Sequence, residues 1–165
     1  MKKDITLVKY SSTDFENYKK LAFDEEIMSY STGRKLSQEE AKSKFASLLT
    51  VNRLEANLGY YKINNGNGEL IGDCKLIRYK YDHTILEIGY VLKKEYRGQG
   101  LGNQICQSIL KLANDHHPTT DIIALIDPDN IASKKLLEKF SFKSFFNGTE
   151  YGLLTEKLIL KMDKN

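Results

Sequence analysis

The sequence predicts an α/β (α+β) fold: a central mixed sheet, mostly antiparallel, flanked by helices. Three observations carry it. Between residues 58 and 92, three strand-like runs follow one another with only turns between them, as in an antiparallel meander. Taken over the whole chain, the element order is β-α-α-β-β-β-α-β-α-β-β, which implies a mixed sheet with helices packed on it. The length of 165 residues gives one domain with a real core and is short for two, so residues 1–165 are expected to form a single domain.

Ile5, Leu7, Val8 and Tyr10 mark the first strand. Thr13-Asp14-Phe15-Glu16 fits a capping box that opens a helix through about Ala22. Residues 23–33 read as an irregular connection, and its acids Asp24, Glu25 and Glu26 as solvated surface. A second capping box, Ser37-Gln38-Glu39-Glu40, starts a helix with Ala41, Phe45, Leu48 and Leu49 on one face. The meander follows: Leu58 to Ile63, a loop at 64–68, Leu70 to Tyr79, a turn near 81–83, and Thr84 to Leu92. Leu101, Ile105, Ile109 and Leu112 have helical spacing, and Asp121 to Ile126 is a short apolar run suited to a buried strand. Asp127-Pro128-Asp129-Asn130 breaks that run before a helix from about Asn130 to Phe140. A strand over Phe142 to Phe146, a turn at Asn147-Gly148 and a strand over Tyr151 to Lys161 complete the chain.

Composition excludes several classes. At 41% hydrophobic and 28% charged residues the chain lies in the ordinary globular range. No apolar run nears the roughly 20 residues that cross a bilayer, and Met-Lys-Lys-Asp-Ile-Thr lacks a signal-peptide core, so a cytoplasmic location is expected. Cys74 and Cys106 make no metal spacing and read as free thiols; no metal is expected. A net charge of +3 is too mild to indicate nucleic acid, yet suits an anionic ligand.

The chemistry concentrates in Glu95-Tyr96-Arg97-Gly98-Gln99-Gly100-Leu101-Gly102, a strand-to-helix turn. Its glycines permit positive φ and close backbone approach, the helix start offers unpaired N–H groups, and Arg97 adds a charge: an anion cradle. Neither the P-loop spacing nor the dinucleotide fingerprint fits, since Asn103 stands where the latter needs its third glycine.

Arg97-x-x-Gly100-x-Gly102 resembles the acetyl-CoA pyrophosphate loop of the GNAT superfamily of N-acyltransferases. Residues 130–142 resemble that family's "Asn-x-x-Ala/Ser-x-x-Leu-Tyr-Glu-x-x-Gly-Phe", and the element order matches the GNAT fold over about residues 4–162. The connection Asp24-Glu25-Glu26-x-Met28-x-Tyr30 and the phrase Glu87-Ile88-Gly89-Tyr90-Val91-Leu92 look most like the branch that acetylates N-termini, especially those of ribosomal proteins (alanine/serine). The resemblance implies acetyl-CoA as cosubstrate. Its pyrophosphate would lie on Arg97, Gly98, Gln99, Gly100, Leu101 and Gly102, and its pantetheine along Tyr90, Val91 and Leu92 and against Asn130 and Ser133. Asn130 equally fits a helix cap. Two departures stand out: Leu137 where many relatives carry the tyrosine that protonates the leaving thiol, and Ser141 in place of a glycine. Tyr90 or Tyr151 could supply the missing hydroxyl.

Glu87 is the candidate base. It interrupts an apolar strand, and the family often carries a glutamate at this place; such a side chain faces either solvent or a site. His83, His116 and His117 read as turn and helix-end residues. The expected function is direct acetyl transfer to a primary amine, first a protein N-terminus, second a small polyamine or aminoglycoside. A non-catalytic acyl-CoA-binding module and a phosphate-binding scaffold remain rivals, and monomer and homodimer both stay open.

Overall fold

The computed structural model describes residues 4–164. The first three residues, part of the start judged to lack a signal core, lie outside that range. In chain order the elements are β1 (Ile5–Lys9), α1 (Phe15–Ala22), α2 (Glu25–Met28), α3 (Gln38–Leu54), β2 (Gly59–Asn65), β3 (Leu70–Tyr79) and β4 (Asp82–Leu92). There follow a 3-10 turn (Lys94–Tyr96), α4 (Leu101–His116), β5 (Ile122–Ile126), α5 (Ile131–Lys139), β6 (Lys143–Glu150) and β7 (Leu153–Leu160). One seven-stranded sheet runs β1-β2-β3-β4-β5-β7-β6, with β4 and β5 parallel and the other pairs antiparallel.

Strand alternation distributes the core to two layers. Leu86, Ile88 and Leu92 of β4 pack with Ile105, Cys106 and Ile109 of α4, Leu137 of α5 and Leu158 of β7. On the other face, Tyr10, Leu21, Phe45 and Leu48 enclose a cluster that the sheet meets through Tyr60, Leu70 and Val91. Cys74 and Cys106 are buried free thiols. No helix of the described residues is long and apolar enough to cross a membrane.

Four local expectations are corrected. The N-cap of α1 is Asp14 rather than Thr13, and it makes no side-chain cap bond. Its carboxylate instead accepts from the Ser11 backbone N–H at 2.8 Å and pairs with Lys62 at 2.8 Å. The connection after α1 is not wholly irregular: Asp24 accepts from the Ile27 N–H at 3.0 Å and caps the short α2. The last hairpin turns at Tyr151-Gly152, with φ of 53° and 75°, rather than at Asn147-Gly148. Positive φ at both central residues is the shape a two-residue hairpin turn requires, and the strands consequently pair out to Glu150 and Leu153. The strands bounding the loop at 64–68 and the turn near 81–83 also reach further in, to Asn65 and back to Asp82. The box on α3 forms as expected, with Ser37 and Glu40 each accepting from the other's backbone N–H.

Candidate active site

β4 and β5 pair only at Leu86 with Ile122, Glu87 with Ile123, and Ile88 with Ala124, yet β4 continues to Leu92 and β5 to Ile126. Above Ile88 the two strands therefore part, and among the described residues the β5-facing backbone of residues 89–92 lacks a strand partner. Open ladder groups of this kind can take an extended ligand as an added strand. Tyr90, Val91 and Leu92 lie along this opening.

The cradle sits at its mouth. Gly98 and Gly100 have φ of 72° and 79°, and a Cβ on either would meet nothing within 4 Å, so backbone conformation alone selects glycine and open space lies over both. Gly100 is the N-cap of α4 and offers no side-chain cap. The first N–H groups of α4 thus have no side-chain cap, and the positive end of the helix dipole lies behind them. Gly102 is selected differently: a Cβ there would stand 2.8 Å from the Tyr90 hydroxyl and 3.2 Å from Leu136. Arg97 donates from Nε to the Leu92 carbonyl at 3.1 Å, and its Nη1 lies 3.8 Å from Glu26. Gln99 donates to the Glu95 carbonyl at 2.8 Å, which fixes the loop from within.

The acids of the connection are engaged rather than merely solvated. Glu26 faces Arg97 and Lys94, Glu25 accepts from the Lys35 N–H at 3.2 Å, and Asp24 is the α2 cap. Glu26 thereby ties α2 to the cradle.

Tyr90 points from β4 toward α4 and α5. Burial raises its hydroxyl above the ordinary tyrosine value, with a hydrogen bond to Ser133 opposing the shift. Asn130 accepts from the Ser133 N–H at 3.2 Å, so it caps α5, the second of the two roles open to it. Ser133 and Tyr90 thus meet at the α5 side of the opening. Leu137, 5% exposed, is a core residue. Tyr151 sits instead at the last hairpin tip, bonded to Lys80 and Tyr81, and its hydroxyl is committed there.

Glu87 lies on the opposite sheet face, among α1 to α3. It is 7% exposed and ion-paired with Lys75, so it is not the solvent-facing strand glutamate that was the alternative. Lys75 pairs in register with Gly89 and reaches Glu87 by crossing over it; a Cβ at 89 would stand 3.1 Å from Lys75 Cε. Beside Lys75 on the same face is Asp73, whose Oδ2 accepts from the Tyr10 hydroxyl at 2.8 Å. Burial raises the Asp73 carboxyl to about 6, opposed by that bond and by Lys75. Sequence reasoning passed over Asp73 and Lys75, although polar residues at i and i+2 in an apolar strand signal a polar face. His83 gives its carbonyl to Arg78 and its ring lies near Asp82, and His117 ends α4; burial and Arg78 lower the His117 imidazole. Among the described residues no group of His, Cys, Asp and Glu could hold a metal ion.

Comparison with known proteins is decisive at the family level. A family model described as the acetyltransferase (GNAT) domain matches residues 4–143. The chain belongs to the GNAT acetyltransferase family. A curated relative of this GNAT chain, the uncharacterized protein YkkB of Bacillus subtilis, is 30% identical over 73 residues, 44% of this chain and 42% of that protein. With YkkB and a second curated relative the match spans about half of the other protein's length. Among solved structures, a putative GNAT-family acetyltransferase from Bordetella pertussis has a TM-score of 0.80 at 19% identity, covering 96% of this chain and 97% of that one. The spermidine N-acetyltransferase of Vibrio cholerae, solved with CoA and spermine, has a TM-score of 0.78 at 16% identity over 96% and 95%. At such identities these likenesses establish the fold.

Proposed function

We propose that the protein is an acetyl-CoA-dependent N-acetyltransferase that transfers acetyl to a primary amine by direct attack in a ternary complex. The observation that carries this reading is the parting of β4 and β5 above Ile88, with an uncapped helix start and Arg97 at its mouth and Glu87 at its foot. The residues present fit the cosubstrate: N–H groups and space over Gly98 and Gly100 for a diphosphate, and β4 backbone without a strand partner for the pantetheine amides, the Leu92 carbonyl being taken by Arg97.

When bound, acetyl-CoA supplies a thioester carbonyl open to attack by a neutral amine. Glu87 would accept the amine proton through water, the C–N bond would form, and the C–S bond would break. N–H groups of the open β4 segment would hold the carbonyl oxygen as charge grows on it. Tyr90, held neutral by burial, would donate a hydrogen bond to the departing sulfur rather than surrender its proton. A thiol of pKa about 8.5 leaves as thiolate without a strong acid, so Leu137 in place of a tyrosine is compatible with turnover.

The first acceptor is a protein N-terminal α-amine. Deprotonating an α-amine of pKa near 8 costs roughly 1.4 kcal/mol at pH 7, against roughly 4.6 for a lysine-type amine. The rim supports a peptide as well: a Cβ at Gly33 would stand 3.2 Å from Leu153, so the α2–α3 connection meets the last hairpin, and there Tyr30, Tyr151 and Leu154 are exposed. The second acceptor is a small cationic amine, favoured by the two carboxylates, Asp73 and Glu87, near one lysine.

The test is to titrate the protein with acetyl-CoA and follow CoA release against α-amino peptides, polyamines and aminoglycosides. Turnover on one amine class establishes the enzyme and names the class. Binding without turnover on any amine points to the non-catalytic module, and equal binding of ATP and CoA to the phosphate scaffold. Absence of binding removes the assignment of residues 97–102.

A further inference from the structure

On the sheet face beneath α1 to α3, two carboxylates lie near one ammonium, which is paired with Glu87 and feels the charge of Asp73 without touching it. Lys75 is ion-paired with Glu87 across Gly89, and Asp73 lies two residues away on the same face of β3, about 7 Å along the strand. Asp73 and Glu87 both act on Lys75: burial pulls its ammonium down, while Glu87, Tyr60 and Asp73 push it up, and the net shift is upward. The other groups facing Asp73 are committed or neutral. Tyr10 at the end of β1 bonds to it, Tyr18 of α1 and Tyr60 of β2 are raised by burial, and Lys62 of β2 is paired with Asp14 at 2.8 Å. Lys75 is therefore the cation that both acids contest.

We propose that Lys75 is a movable counter-ion shared by Glu87 and Asp73, and that Asp73, by drawing Lys75 off Glu87, frees that carboxylate to receive the acceptor's ammonium and its proton. The inference rests on the reading of Glu87 as proton acceptor. With Asp73 protonated, Lys75 and Glu87 form a closed neutral pair and the acceptor meets a blocked base. With Asp73 ionised, the trio carries one negative charge in excess, which the acceptor's ammonium fills, and Lys75 has a second place to rest. Gly89 is part of the device, because its missing side chain leaves the path by which the lysine stem crosses β4. Asp73 and Lys75 act through Glu87 and are positioning residues. The acid-side fall in rate is set by Asp73, whose carboxyl stands at about 6.

The experiment is kcat against pH, from 5 to 9, at saturating acetyl-CoA and a free-amino seryl peptide, or spermidine if the peptide does not turn over. The enzymes are wild type, Asp73→Asn, Lys75→Met, the double variant and Glu87→Gln, each checked by thermal unfolding. Wild type should lose rate about tenfold per pH unit below 6. Asp73→Asn, which keeps an acceptor for Tyr10, should be at least tenfold slower at pH 8 and show no inflection near 6. Lys75→Met should exceed wild type at pH 5, since no ammonium remains to block Glu87. The double variant should recover at least fivefold over Asp73→Asn at pH 8, which damage to packing would not produce. A double variant no faster than Asp73→Asn, or an inflection near 6 that persists in Lys75→Met, overturns the shared counter-ion while leaving Glu87 as base. Full activity in Glu87→Gln removes the base and the inference together. Carboxyl carbon resonances of Asp73, followed by NMR in wild type and Lys75→Met, give a reading that needs no turnover: loss of Lys75 should move the Asp73 titration upward, and no movement overturns the pairing.

Discussion

Ser141 carries a left-handed backbone, φ 73°, just after α5, at the place where the family phrase has glycine. A side chain in that conformation costs on the order of 1 kcal/mol. Ser141→Gly is accordingly expected to stabilise the protein by about 1 kcal/mol, raising the urea midpoint at unchanged slope. Asp73 shows the opposite economy. Because burial raises its carboxyl to about 6 from an ordinary 3.8, the folded chain binds that proton more tightly than the unfolded one. The resulting stabilisation is whole below about pH 4 and is lost as pH rises through 6. Relative to wild type, Asp73→Asn should gain about 2 kcal/mol between pH 4 and pH 7 in urea unfolding. An equal response of the two proteins to pH would show that Asp73 ionises as freely in the fold as outside it. Glu87 stood out in the sequence as a candidate because a carboxylate broke an apolar run, and the structure shows it buried and paired with Lys75. Asp73 was not, because its environment is made by Tyr10, 63 residues away, and by the layer of helices above it.

At the scale of elements, local chemistry announced what local chemistry decides. The Ser37 capping box, the span of β3 and the glycine turn before α4 all follow from neighbours within a few residues. The last hairpin did not, because its register answers to the sheet. Leu158 must face the core and pair with Ala124, which pairs residues 147 and 148 with Glu156 and Thr155 inside the ladder. The capping box at Thr13 failed for a related reason: Asp14 is claimed by Lys62 of β2, a partner no local pattern shows. α4 invites a test of its own. Gly102→Ala would push a methyl group against the Tyr90 hydroxyl and Leu136, displacing the helix start that forms the cradle. Acetyl-CoA affinity, measured by calorimetry, should weaken at least tenfold; unchanged affinity would show that the ligand does not use this helix start.

For the whole molecule, the order of strands and helices was legible almost complete, and α2 was the omission. A four-residue helix has too few turns to show a period, and its Ile27 and Met28 become core only against α1 and α3. The parting of β4 and β5 was also unreadable, since it is a relation between strands 30 residues apart in sequence. If that opening binds acetyl-CoA, the ligand must stabilise the folded chain by mass action, about 2.7 kcal/mol at a hundredfold excess over Kd. Thermal unfolding should therefore rise with acetyl-CoA concentration, and a flat response would exclude tight binding.

The two cysteines give such measurements an internal clock. Cys74 in β3 and Cys106 in α4 belong to one core cluster, and burial raises both thiols, that of Cys106 to about 12. A thiolate reagent meets almost no reactive sulfur on the native protein. In an assay that counts released CoA, the protein's own thiols should stay silent until its sheet comes away from α4. The slow labelling that remains without substrate would report how often that opening occurs.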